Sequence, residues 1–156
     1  MTTIYIGIGS NLGSREENCG KAVKLLSERG IRVVRTSSMI ETEPWGVKEQ
    51  PRFINMAVEA ETSLGPVELL AALKNIEDEL GRVPDTRWGP RLIDLDILLY
   101  DDLVMKTPEL EIPHPGMKDR VFVLKPLAEI APDIVHPVFR KSMKKLLEEI
   151  SEETDR

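Results

Sequence analysis

The order of elements along the chain, β-α-β-β-α-β followed by a helical tail, predicts an α+β sandwich forming a single domain over residues 1–156. Three observations carry this reading. Isoleucines alternate strictly at the start of the chain, two helical stripes each end at a glycine, and two further alternating segments occupy residues 53–62 and 93–100.

The first strand runs over Thr3 to Gly9, with Ile4, Ile6 and Ile8 on one face and Tyr5, Gly7 and Gly9 on the other. Ser14-Arg-Glu-Glu17 reads as a capping box, with Ser14 as N-cap and Glu17 reaching back. Cys19, Ala22, Val23 and Leu26 then form a helical stripe that Gly30 ends. Ile31 to Thr42 is rich in β-branched residues and reads as one second strand. Residues 43–51 form a loop, and Phe53 to Thr62 a third strand, with Ile54, Met56, Val58 and Ala60 inward and Phe53, Asn55 and Ala57 opposite. Gly65-Pro66 opens a helix with proline at its first position. Its stripe is Leu69, Leu73, Ile76 and Leu80, and Gly81 stops it. After a loop over residues 82–90, Ile93 to Tyr100 forms the fourth strand. A short helix is expected near Pro126 to Ile130 and a charged amphipathic one near Arg140 to Ile150. The pattern is the ferredoxin-like split βαβ, with additional C-terminal helices and loops. In it the first strand sits between the third and fourth, both helices cover one sheet face, and the other face is open or covered by loops.

Composition bounds the function. Hydrophobic residues make up 41% of 156, enough for a core, while aromatics are only 4%. A net charge of −6 argues against nonspecific binding to nucleic acid or anionic membrane, which rests on a broad basic surface. Cys19 stands alone, so no intramolecular disulfide forms and a reducing, cytoplasmic setting is expected. No apolar run is long enough to span a bilayer, and no signal peptide is read.

The fourth strand carries the strongest chemical signal. Ile93, Leu95, Ile97 and Leu99 are expected to form an apolar face, which leaves Asp94 and Asp96 together on the opposite one. At about 3.3 Å per residue their backbones stand roughly 6.6 Å apart, within reach of one cation. Aspartate is depleted in strands, and two on one face repel unless something positive lies between them. Mg²⁺ suits such a pair, because it takes one or two carboxylates and completes its octahedron with water and phosphate. Arg82, Arg87 and Arg91 lie in or beside the loop entering this strand, and Lys118 and Arg120 follow later. Arginine presents planar donors that match phosphate oxygens, so the group points to phosphoryl-type transfer. Taken singly, any of these arginines serves equally well as a partner of Asp85, Asp94 or Glu77.

Phe53 and Asn55 share the open face of the third strand, where an aromatic ring can stack on a flat heterocycle and an amide can read its edge. By itself Phe53 reads as packing under a loop, and Trp45 and Trp88 serve as loop anchors or ligand contacts alike. Gly7 and Gly9 of the intervening strand leave room for a ligand. Other motifs carry less. Residues 7–13 resemble a dinucleotide fingerprint but place Leu12 at the third glycine, and no GxxxxGK[ST] loop exists. His114 and His136 precede prolines in loops and lack the cysteine partners of a zinc site.

Taken together these stretches resemble the 6-hydroxymethyl-7,8-dihydropterin pyrophosphokinases of folate biosynthesis over nearly the full length. The signature segment is Arg87-Trp-Gly-Pro-Arg-Leu-Ile-Asp-Leu-Asp-Ile-Leu98, supported by residues 6–13, 42–46, 50–55, 76–77 with 81–83, and 112–120. The resemblance implies transfer of the β,γ-diphosphate of ATP to the pterin hydroxymethyl group, giving AMP and the pterin diphosphate. It implies two Mg²⁺ ions on Asp94 and Asp96, and Arg82, Arg91 and Asp96 in the catalytic machinery. It places Glu77, Arg82, Arg87, Trp88, Arg91, Ile97, His114 and Arg120 at the nucleotide, with His114 and Arg120 on phosphates. It places Thr42, Pro44, Trp45, Gly46, Phe53, Asn55, Asp94 and Phe122 at the pterin, with Phe53 and Phe122 sandwiching the ring. The implied partners are the two small-molecule substrates alone, with neither nucleic acid nor membrane, for a monomer or weak dimer.

The chain departs from well-known members at Pro84, which stiffens the loop before the signature segment, at Pro115 after His114, and at Glu109 and Glu111. Two other classes are rivals, the first of which shares the element order. An RNA-recognition module would need exposed aromatics where the fourth strand offers carboxylates, and a small-molecule-sensing domain would not need the Arg and Asp cluster.

Overall fold

A computed structural model describes residues 1–11, 14–42, 53–81 and 93–154. β1 (Thr2–Ser10) lies at the centre, antiparallel to β4 (Phe53–Thr62) on one side and β5 (Asp94–Tyr100) on the other. β2 (Ile31–Thr36) and β3 (Ile40–Thr42) both pair with β4, so β5 is an edge strand in the order β2-β4-β1-β5. The ferredoxin-like expectation holds in its essential relation, the first strand between the third and fourth.

The single second strand expected over Ile31 to Thr42 is in fact two. The buried Ser37 interrupts it by acting as a ladder partner from the side. Its N–H donates to the Ala57 carbonyl at 2.9 Å, and its Oγ accepts from the Ala57 N–H at 2.8 Å. β2 therefore serves one half of β4 and β3 the other.

α1 (Arg15–Glu28) and α2 (Pro66–Glu79) cover one sheet face. α1 buries Cys19, Ala22 and Leu26, and Gly30 at φ 78° turns the chain into β2. Ser14 is its N-cap but makes no side-chain capping bond, contrary to the expected capping box. At φ −80° and ψ 83° Ser14 is outside the extended geometry that aims an N-cap hydroxyl at the helix amides. α2 begins at Pro66 as expected, and Glu68 Oε1 accepts from the Gly65 N–H at 3.1 Å. Its buried face is Leu69, Leu73 and Ile76, each contributing about 1.5–3 kcal/mol on burial, together with the charged Glu77. These helices and Ile4, Ile6, Ile8, Ile54, Met56, Val58, Ile93, Leu95 and Ile97 form the main core.

The opposite face is half covered by helices rather than left to loops. α3 (Val121–Ile130) packs on β4, and α4 (Met143–Thr154) packs on α3. A second core forms there from Tyr5, Ala57, Leu98, Leu99, Met117, Leu124, Leu127, Ile130, Met143 and Leu146. α3 starts five residues before the expected Pro126, which lies inside the helix, and the apolar Leu124, Leu127 and Ile130 that it buries carry it through the proline. α4 starts at Met143 rather than near Arg140. Arg140 has φ 59° and closes a turn around His136, its N–H donating to the His136 carbonyl at 2.9 Å.

β5 departs from simple alternation. Ile6 pairs with Ile97 but Tyr5 pairs with Leu99, so Leu98 is an extra residue in a bulge. The expected apolar face of Ile93, Leu95, Ile97 and Leu99 therefore breaks at its last member, and Leu98 and Leu99 both join the second core. A short hairpin of β6 (Met105–Lys106) and β7 (Glu111–Ile112), followed by a 3-10 turn at Met117–Asp119, connects β5 to α3.

Candidate active site

The second core fills only part of its sheet face, and the residues expected to carry chemistry lie towards the other end. Gly9 pairs with Asn55 on β4 and with Asp94 on β5, so these three residues form one row across the sheet. Asn55 and Asp94 thus stand two strand spacings apart, about 9–10 Å. The adjoining row is Ala57, Gly7 and Asp96. Asp94 is half-buried and Asp96 exposed, on the face expected from alternation. Phe53 begins β4 in the same neighbourhood and is half-buried.

The two glycines do different work from that expected. A Cβ on Gly9 would lie 2.9 Å from Asn55 Oδ1 and 3.8 Å from the Phe53 ring. Its missing side chain makes room for these two neighbours rather than directly for a ligand. A Cβ on Gly7 would meet Leu98 Cδ2 at 3.3 Å, so Gly7 accommodates the bulge residue of β5.

A cleft of about 380 Å³ runs along the outer edge of β5. Asp94 to Ile97 form its floor, Leu70, Lys74 and Glu77 of α2 one wall, and Thr107 to Glu111 with His114 the other. The turn in the second wall is held by Thr107, whose Oγ1 accepts from the Leu110 N–H at 3.1 Å and whose N–H donates to the Leu110 carbonyl at 2.9 Å. Sequence reasoning found the floor, Glu77 and His114 but missed Lys74 and Thr107 as wall residues. Lys74 sits three positions before Glu77 on α2, a same-side helical spacing that gives the one available signal.

Glu77 is buried, and its Oε2 accepts from the Leu95 N–H at 2.8 Å. Ile97 is buried in the main core and also lines the cleft. His114 Nε2 lies 4.0 Å from Asp96 Oδ2, and the His114 N–H donates to the Leu98 carbonyl at 3.0 Å. Burial holds the His114 pKa below its ordinary value; Asp96 pulls it up, Arg120 adds to the depression, and Glu111 pulls up again. Its Nδ1 is buried and has no hydrogen-bond partner among the described residues. Arg120 caps α3, passes near Gly116 and is half-buried, and Phe122 is half-buried in the first turn of α3. Thr42 ends β3, opposite Phe53.

His136 belongs elsewhere. It is buried, and its Nδ1 accepts from the Val138 and Phe139 amides at 3.1 and 3.2 Å. Its ring stacks on Phe139 with centroids 4.3 Å apart. Pro44, Trp45, Gly46, Arg82, Arg87, Trp88 and Arg91 lie outside the described residues.

Two carboxylates are the donors that this arrangement offers to a metal. Among the described residues no group of three or more His, Cys, Asp or Glu side chains gathers as a protein-only metal cage. An all-oxygen pair facing a cleft fits Mg²⁺, which keeps most of its coordination for water and phosphate.

Comparison with known proteins gives the family. Residues 5–132 match the family model described as 7,8-dihydro-6-hydroxymethylpterin-pyrophosphokinase. The chain belongs to the 7,8-dihydro-6-hydroxymethylpterin-pyrophosphokinase family. It is 44% identical over 144 residues to the 2-amino-4-hydroxy-6-hydroxymethyldihydropteridine pyrophosphokinase of Aquifex aeolicus, covering 92% of this chain and 89% of that one. It is 50% identical over 131 residues to the Bacillus subtilis protein of the same name, covering 83% and 78%. The folic acid synthesis protein fol1 of Schizosaccharomyces pombe is 42% identical over 147 residues, 94% of this chain but 20% of that protein. Among solved structures, a Plasmodium falciparum HPPK-DHPS chain with pterin and p-hydroxybenzoate superposes with a TM-score of 0.79. That match covers 99% of this chain and 44% of the other at 16% identity, and so speaks to the fold alone. Family membership makes this chain an enzyme, a diphosphotransferase of folate synthesis. No described helix is long and apolar enough to cross a membrane.

Proposed function

We propose that the chain transfers the β,γ-diphosphate of ATP to the hydroxymethyl group of 6-hydroxymethyl-7,8-dihydropterin, giving AMP and the pterin diphosphate, with Mg²⁺. The observation that carries the reading is the row Asn55, Gly9, Asp94, which links a surface suited to a flat heterocycle with a carboxylate pair flooring a cleft of nucleotide size.

The hydroxymethyl oxygen attacks the β-phosphorus. The bond from that phosphorus to the oxygen bridging to the α-phosphate breaks, AMP leaves with the electron pair, and the hydroxyl proton is released. Asp94 and Asp96 would hold the Mg²⁺, two ions by the family resemblance, which would supply charge neutralisation for the phosphates. The chain's own contribution is position and field. Phe53 and Phe122 grip the pterin ring. Asn55, together with Thr42, Pro44, Trp45 and Gly46, reads its edge. His114 and Arg120 hold phosphate oxygens, and Arg82, Arg87 and Arg91 complete the positive surround. Glu77, Trp88 and Ile97 border the nucleoside. Burial holds the His114 pKa below its ordinary value, and the imidazole stands beside Asp96, where a ring N–H can donate to a phosphate oxygen. The enzyme works in the cytoplasm on these two small molecules and needs no nucleic acid or membrane.

The deciding experiment is AMP release from ATP, followed with and without Mg²⁺ and with and without the hydroxymethyl-pterin. Formation that needs both is expected. AMP formed without the pterin, or none under any condition, overturns the proposal.

A further inference from the structure

We infer that Glu77 is a positioning residue for the Asp94–Asp96 pair: its carboxylate pins the outer edge of β5 at Leu95 and so holds in place the backbone between the two aspartates. The inference rests on the proposed reaction, in which that pair holds the divalent cation.

Among the described strands β5 is the edge of the sheet, with β1 on one side only. An edge strand presents unpaired N–H and C=O groups along its outer side and is the part of a sheet freest to twist or shift. The Leu95 N–H is one of these outward groups. It lies between Asp94 and Asp96, and it is taken by Glu77 Oε2 at 2.8 Å in a buried bond. Three residues further on, the Leu98 carbonyl is taken by the His114 N–H at 3.0 Å. The strand is thus fixed on either side of Asp96, whose own side chain remains 58% exposed to the cleft.

The residue type is informative. Glu77 follows Ile76 and lies four positions after Leu73 on the face of α2 that packs on the sheet, and it is only 4% exposed. Packing alone is better served there by a leucine, because burying a carboxylate costs free energy unless its oxygens are bonded. A short apolar side chain would fill the space but leave the Leu95 N–H buried without that acceptor. The bond also ties the strand to a rigid helix rather than to a loop. Outer groups that orient metal-holding carboxylates tune affinity without touching the ion.

The test uses the full chain with two variants. Glu77→Met keeps the bulk and removes the acceptor. Glu77→Gln keeps an amide oxygen that can accept from Leu95. Amide hydrogen exchange at Leu95 is read by NMR, and Mg²⁺ affinity is read without nucleotide from the amide shifts of β5, so that the nucleoside contact of Glu77 does not enter. In Glu77→Met, exchange at Leu95 is expected to speed by about tenfold or more, and Mg²⁺ affinity to fall by about tenfold. Glu77→Gln is expected to keep both within about threefold of the parent chain. Unchanged exchange or unchanged Mg²⁺ affinity in Glu77→Met overturns the inference. So does a Glu77→Gln variant that loses the metal, since charge and not the hydrogen bond would then be responsible. Should Glu77→Met fail to fold, the Gln variant alone decides by that criterion. The parent chain is titrated first: if it shows no Mg²⁺ binding at β5, the metal assignment itself is wrong, whereas binding that survives Glu77→Met removes only the positioning role.

Discussion

His114 and Asp96 approach to 4.0 Å, Nε2 to Oδ2, although one follows β7 and the other lies within β5. The approach is set by the main chain, because the His114 N–H is bonded to the Leu98 carbonyl two residues beyond Asp96. The residue proposed to bond phosphate and the residue proposed to hold metal thereby line the same cleft.

Asp96 is exposed, so its removal disturbs no packing. Asp96→Ala is expected to fold with an unchanged thermal midpoint and to lose turnover by about a hundredfold or more, since electrostatic stabilisation of the phosphates is lost. Near-normal AMP formation would contradict the metal assignment.

Phe53 lies at the start of β4 beside Asn55 and away from the β5 edge cleft. Phe53→Ala is expected to weaken pterin binding by about tenfold, in line with the loss of one aromatic stack, and to leave ATP binding almost unchanged. Calorimetric titration with each ligand separates the two, and equal losses would remove Phe53 from the pterin site.

Gly9 and Gly7 give opposite expectations for the same change. In Gly9→Ala the new methyl must displace Asn55 Oδ1, which stands 2.9 Å from it and belongs to a side chain rather than to the backbone. Stability is therefore expected to hold while pterin affinity falls. In Gly7→Ala the methyl presses on buried Leu98 at 3.3 Å, so a loss of about 1 kcal/mol in stability is expected with less effect on pterin affinity. Chemical denaturation and ligand titration of the two variants read this crossover, and identical profiles would refute it.

His136 should make stability pH-dependent. Burial lowers its pKa from 6.5 in the folded chain. Above about pH 6.5 both folded and unfolded forms are neutral and the stability is fully present. As pH falls below that value the unfolded chain takes up the proton first, so stability declines until the lower folded pKa is passed. His136→Asn retains an acceptor for the Val138 and Phe139 amides and is expected to flatten this decline. His136→Ala leaves those amides without it and is expected to cost about 1–3 kcal/mol. Thermal midpoints measured from pH 5 to 8 distinguish the three chains; the same slope in all of them would assign the dependence elsewhere.

The sequence by itself determined the element order, the central position of β1 and the placing of Asp94 and Asp96 on one face, because these follow from periodicity, glycine stops and alternation over short spans. The signature segment also carried the family. Only the tertiary structure decided what depends on contacts distant in sequence. Ser37 splits the second strand because Ala57 lies beside it. Leu98 bulges and so turns Leu99 to the other face, which alternation within β5 alone does not reveal. Gly9 makes space for Asn55, and Gly7 for Leu98, because those strands are neighbours in the sheet. Glu77 reads in sequence as a nucleotide-site residue; folding brings it to the one amide between the two aspartates, a partner 18 residues away. Local rules fix which way a side chain points, whereas packing fixes what it meets.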